Sequence, residues 1–175
     1  DDEEISYVTP ILNEEVDKVQ VIRNITLTDP IEIVETRDVE LDLNGYTISG
    51  VDKNTTGNYE LIQNNGALTI KDSVGTGKII LEAENNRYFN AASAVIVSNP
   101  GSELKVTGGT IEHLGGTDMA YAIDVRTNGN LGDVKAIIEG GTIKSTYRTS
   151  YALVRYIAAR PYAETVSSNI DTKTE

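Results

Sequence analysis

Cysteine and tryptophan are absent from the 175 residues, and Phe, Met and His occur once each. Without Cys there can be no disulfide framework, zinc knuckle or thiol nucleophile. No apolar run approaches the ~20 residues of a membrane span and no signal-peptide pattern opens the chain, so membrane insertion is not expected. The chain starts on Asp1 rather than Met, from which a leader or upstream domain is expected to precede it. Positive charge is scarce: 15 Lys and Arg against 27 Asp and Glu give a net charge of −12. Such a surface repels a phosphate backbone or an anionic membrane, so neither nucleic acid nor lipid is an expected partner.

What is abundant is β-branched. Ile, Thr and Val number 19, 19 and 15, and such side chains suit pleated, half-buried surfaces better than helices. A chain of this length fits one domain with a core of its own. Three segments align without gaps: Leu41–Ile48, Leu104–Ile111 and Ala136–Ile143. Each reads apolar, polar or exposed, apolar, polar, Gly, variable, Thr, Ile. A fourth, from Leu68 to Ile79, joins them if Ser73–Thr76 is an insertion at the turn. The closing Ile then falls at 48, 79, 111 and 143, a period of 31 to 32 residues.

Alternating segments precede the later copies, at Tyr59–Leu61, Val95–Val97, Ile123–Val125 and Tyr151–Leu153, with Asn/Gly corners between. A unit with three short strands cannot bury its own apolar face, but stacked copies bury a continuous core. The pattern therefore predicts an all-β solenoid, a parallel β-helix of about four to five turns. Its inward columns are expected to be Leu41/Leu68/Leu104/Ala136, Leu43/Ile70/Val106/Ile138 and Ile48/Ile79/Ile111/Ile143, with Gly45, Gly108 and Gly140 at the corner. Residues 1–8 read as a flexible acidic start and 9–20 as a short capping helix, opened by Thr9 and Pro10. Residues 21–160 then form the β-helix, with strands at Val21–Leu27, Ile31–Ile33 and, last, Tyr151–Ala159; residues 161–175 form a weakly ordered tail.

The predicted helix, the runs "VIRNITLTDPIEI", "VELDLNGYTISG" and "NNGALTIKDSVGTGKI", and two "GGTI" strands together resemble the right-handed, single-stranded parallel β-helix modules of bacterial surface proteins. Similar modules occur in bacteriophage fibre and decoration proteins. The likeness covers roughly residues 10–157 and lies in core and corner residues. It implies an extracellular cell-surface, secreted or virion location and a role in attachment or display, with a surface glycan or host receptor as partner.

Candidate sites follow from the outward positions. The fold also hosts polysaccharide lyases and glycoside hydrolases, which need several convergent carboxylates. Asp124 and Arg126, with Arg148 and Arg155 near in sequence, form the best local cluster, but Asp124 is flanked in its column by Ile96 and Val154, so the second carboxylate is missing. A non-catalytic module without cofactor or metal is expected. Asp38, Glu40 and Asp42 share one strand face, but alternate residues are ~7 Å apart; they read as a solvated acidic face rather than a cation site. His113, before Gly115 and Gly116, reads as a surface turn residue. Of the nine Tyr, Tyr59, Tyr121 and Tyr151 are expected to pack, leaving Tyr88 and Tyr147, with Asp124 and Arg126, as ligand-contact candidates. Ile96, Val154 and Ile137 are apolar at outward positions, the expected strip for a homo-oligomer such as a trimer. A loop at Glu84–Ala92 is the alternative cover for that strip.

Overall fold

The structure, a computed structural model, describes residues 18–52, 58–127, 134–145 and 151–157, with the backbone alone at 84–91, 116–120, 127 and 151–157. Among them there are thirteen strands and no helix. In chain order they are β1 Lys18–Gln20, β2 Ile25–Leu27, β3 Ile31–Ile33, β4 Asp38–Asp42, β5 Thr47–Asp52, β6 Tyr59–Asn64, β7 Ala67–Lys71, β8 Lys78–Val97, β9 Glu103–Val106, β10 Thr110–Thr127, β11 Lys135–Ile138, β12 Thr142–Ser145 and β13 Tyr151–Ile157. Every pairing between them is parallel. One ladder runs β1-β4-β7-β9-β11 and another β2-β5-β8-β10-β12. A third line joins β3, β6, the second half of β8, the second half of β10 and β13. The chain therefore lays down five successive tiers of three strand segments, each segment pairing with its counterparts in neighbouring tiers: an all-β, parallel, solenoid-like fold.

The isoleucine column is borne out and longer than expected. Ile25, Ile48, Ile79, Ile111 and Ile143 stand in direct register, and the three central ones are at most 2% exposed. Each such burial contributes about 1.5–3 kcal/mol, and a β-branched side chain held in one rotamer loses little further freedom in being stacked. The other two columns shift by two residues in the second tier. Val39, not Leu41, lies against Leu68, followed by Leu104 and Ala136. Leu41 lies between Val19 and Ile70, followed by Val106 and Ile138. Leu43, just past the end of β4 with its N still donating to Lys71 O at 2.9 Å, is fully buried beneath the corner.

Corner length explains the shift. Between the last inward residue of the first ladder and the column isoleucine stand six residues in tier 2 (42–47), eight in tier 3 (71–78), and four in tiers 4 and 5. In the short corners backbone amides bond straight to the preceding tier: Thr107 N to Ile70 O at 2.8 Å, Thr110 N to Gly77 O at 2.9 Å, Glu139 N to Val106 O at 2.8 Å and Thr142 N to Gly109 O at 2.9 Å. The left-handed residues of these corners are Gly109 (φ 81°) and Gly141 (φ 83°), each directly after an expected corner glycine, and at Gly140 a Cβ would lie 2.5 Å from Thr107 O.

The longer corners step out of the ladder, and carboxylates take the freed amides. Asp42 Oδ1 accepts from Asn44 N at 2.9 Å and Ser73 N at 3.0 Å. Asp72 accepts from Gly45 N at 2.8 Å, Gly77 N at 2.6 Å and Val74 N at 3.4 Å. Burial alone would raise both pKa values; the amide hydrogen bonds outweigh it and hold both carboxyls below the ordinary aspartate range.

Three further expectations are corrected. Residues 18–20, read as the end of a helix, are strand β1; the remainder of that helix lies outside the described residues. In the stretch read as a strand from Val21, only Ile25–Leu27 is strand, since residues 21–24 form the first corner. The loop expected at Glu84–Ala92 is replaced by backbone continuous with β8. The last strand ends at Ile157 in the described residues, and 158–159 lie beyond them.

Candidate functional site

Strand alternation fixes where the candidate side chains fall. Ile96, Asp124 and Val154 are in register, as expected, on the opposite strand face from Val95, Val97, Ile123 and Val125. That face is nevertheless covered: Ile96 is 6% exposed and Asp124 is fully buried. The expectation of an open apolar strip at Ile96 is therefore not met, and Asp124 is not open to a ligand. Its carboxylate is engaged by Arg126, two residues on and on the same face, with Oδ2 and an Nη at 2.5 Å. Burial pushes the Asp124 pKa up, against the opposing pull of the guanidinium. Among the candidates, the structure thus brings Asp124 and Arg126 together as a shielded pair. Ile137 is half-buried on the outer face of β11, in a column with Glu40, Thr69 and Lys105. Tyr147 and Arg148 lie outside the described residues, as do the side chains of Tyr88, Val154 and Arg155.

Other polar groups turn out differently from the sequence expectation. His113 is in β10 and fully buried, inward in a column with Gly50, Leu81 and Ser145. Burial lowers its pKa to about 4, so it is a neutral interior residue at physiological pH rather than a surface turn. The Asp38–Asp42 face is not uniformly solvated. Glu40 bonds Lys71 at 2.8 Å, and that hydrogen bond holds its pKa below the ordinary value, whereas Asp42 is the buried corner acceptor. Glu112 and Lys144, directly opposed on adjacent tiers, pair at 2.7 Å. Among the described residues no three His, Asp or Glu side chains are placed to share a metal ion.

Two surface features were not singled out from sequence. One is a shallow open groove of about 340 Å³ at the end of the third strand line, lined by Glu32, Val34, Glu35, Thr36, Asn65 and Asn99. Its polar side chains are bonded across tiers: Asn65 Nδ2 to Glu32 at 3.1 Å, Asn99 Nδ2 to Glu35 at 2.9 Å, and Ser98 Oγ to Asn65 Oδ1 at 3.3 Å. Asn65 and Asn99, in the turns after the third strands of tiers 2 and 3, were the signal that could have found it. The other is the first corner, where Ile22 and Val74 are 76% and 62% exposed. Apolar residues among Asn, Gly and Ser at a corner, as in "DSVGTG", were the available clue there. Comparison of the chain with family models, with curated proteins and with solved structures finds no match in any of the three.

Proposed function

We propose that the chain is a right-handed, single-stranded parallel β-helix of five tiers serving as a non-catalytic module for attachment or display at a bacterial or virion surface, in contact with a glycan or host receptor. The observation that carries this reading is the use made of charge. Asp42 and Asp72 hold corner amides, Asp124 holds Arg126, and Glu40 and Glu112 hold lysines. Carboxylates spent in this way support the frame rather than proton transfer. Right-handedness follows the general rule for parallel strands of one sheet joined by a crossover. Stacked tiers with fixed corners present surface groups at defined positions, which lowers the ordering cost of any contact.

The test is binding of the labelled chain to an array of bacterial and host-surface glycans and to intact bacterial cells. Saturable binding without release of reducing ends or unsaturated uronates is the expected result. A flat response on every surface overturns the attachment reading, and product release overturns its non-catalytic part.

A further inference from the structure

A parallel stack has two unlike ends. The strand segments of tiers 2 to 4 are paired along both edges, whereas among the described residues β1, β2 and β3 of tier 1 and β11, β12 and β13 of tier 5 are paired along one edge only. The apolar columns are open to solvent at both ends. In tier 1, Val19, Ile25, Leu27 and Ile31 are half-buried, as are Ala136, Ile138 and Ile143 in tier 5. Ile33 is the one buried inward residue of the tier 1 strands. In the middle of the same columns Ile70, Val106, Ile79, Ile111, Ile62 and Ile123 are at most 1% exposed.

We propose that tier 5 of one copy docks on tier 1 of the next, so that the chain associates head to tail with a second copy of itself. The inference goes beyond the attachment reading and does not depend on it. Every joint between tiers pairs the upper edge of one tier with the lower edge of the next, always in parallel. The free upper edge of tier 5 and the free lower edge of tier 1 are the two halves of one more such joint, with β11 on β1, β12 on β2 and β13 on β3. The columns run on across it. Ile138 falls against Val19, Ile143 against Ile25 and, by register, Leu153 against Ile31. Ser145 against Leu27 is the one inward mismatch. On the outer face Ile137 falls against Lys18, Lys144 against Thr26 and Val154 against Glu32, so no like charges are opposed. Lys18 lands diagonally opposite Glu139, as Lys71 does to Glu40 within the chain, where the two pair at 2.8 Å. Two like ends meeting about a two-fold axis would set the strands antiparallel and lose these columns. A contact between unlike ends does not close on itself, so copies add into an open filament, roughly 24 Å per copy for five tiers at ~4.8 Å.

The experiment is disulfide trapping, which the absence of native Cys makes clean. Thr26 and Lys144 are exposed, outward and members of one column. Within a copy they stand four tiers, roughly 19 Å, apart, too far to bridge; across the joint they are neighbours at ~4.8 Å, within disulfide reach. Thr26→Cys, Lys144→Cys and the double variant are oxidised mildly at high protein concentration and run on non-reducing gels, with thermal melts confirming the fold. The double variant should give a ladder of multimers, each single variant alone only monomer, and an equal mixture of the two singles a dimer and nothing larger. Adding Ile143→Lys to the double variant puts a charge into the joint and should cut the ladder at least about tenfold. A double variant that stays monomeric overturns the joint and leaves the end tiers to be covered by the chain's own flanking residues. Dimers of Thr26→Cys alone, or of Lys144→Cys alone, overturn it in favour of a two-fold contact between like ends. A ladder undiminished by Ile143→Lys overturns it as random collision of surface thiols.

Discussion

The corners of tiers 2 and 3 and those of tiers 4 and 5 turn the same ladder by different physics. The first pair steps out of the ladder and relies on Asp42 and Asp72 to satisfy amides that have lost their neighbouring carbonyls. The second pair keeps those amides in the ladder and relies on glycines at positive φ. The first pair is left-handed too, at Asn44 (φ 49°), Gly45 (φ 81°) and Gly75 (φ 93°), so what sets it apart is the added carboxylate, whose contribution depends on pH, and the extra residues that carry the exposed Tyr46 and Val74.

The sharpest break should come from the glycine side. In Gly141→Ala the new Cβ would meet Gly109 O at 2.6 Å in a left-handed residue. A loss of about 3 kcal/mol is expected, equal at pH 5 and pH 8 in urea titrations; a neutral outcome would mean that the corner can relax. Next comes an acid effect from tier 4 itself. His113 titrates near 6.5 when unfolded and at about 4 when folded, so the unfolded chain takes up the proton first. Its contribution is intact above 6.5 and drains away as pH falls towards 4, on the order of 3 kcal/mol. His113→Leu should flatten that limb of the stability curve, and an unchanged limb would assign it elsewhere.

With that background removed, the carboxylate corners can be read. Asp72→Ala should cost about 2 kcal/mol at neutral pH. Since the folded pKa of Asp72 lies below its unfolded value, its contribution is complete above the unfolded pKa and vanishes as pH falls through the folded one. Wild type and variant should therefore converge in strong acid, and a gap that persists there would show that packing dominates the corner. The smallest effect belongs to the exposed pair of Lys135 and Glu103, 3.6 Å apart: Lys135→Gln should move stability by less than about 0.5 kcal/mol.

The isoleucine column was legible because Ile closes all four copies at nearly constant spacing, after Thr in three of them, and the period alone implied stacking. The columns before the corner were misaligned because an ungapped match of Leu41–Ile48 with Leu104–Ile111 hid two extra residues that leave the ladder. His113 was within reach, since two-residue alternation from Ile111 points it inward; Gly115 and Gly116 suggested a turn where β10 continues. Register gave the Ile96, Asp124 and Val154 alignment correctly but carries no information about what lies over that face, and so the burial of Asp124 was invisible. The exposure of Tyr46 and Val74 was missed for a related reason. Aromatic counting drew attention to the C-terminal half, whereas exposure at a corner depends on how far each tier protrudes.

Leu43 reaches further than its own repeat. A Cβ on Gly77 would lie 2.5 Å from its Cβ, and one on Gly109 2.7 Å from its Cδ1, so this side chain of tier 2 passes beneath the corner of tier 3 and touches that of tier 4. In a stack coupled only between neighbours, tiers can fray from the ends one at a time. A rivet through three of them forces tiers 2 to 4 to melt as one block, so damage at any of these corners is felt by all three.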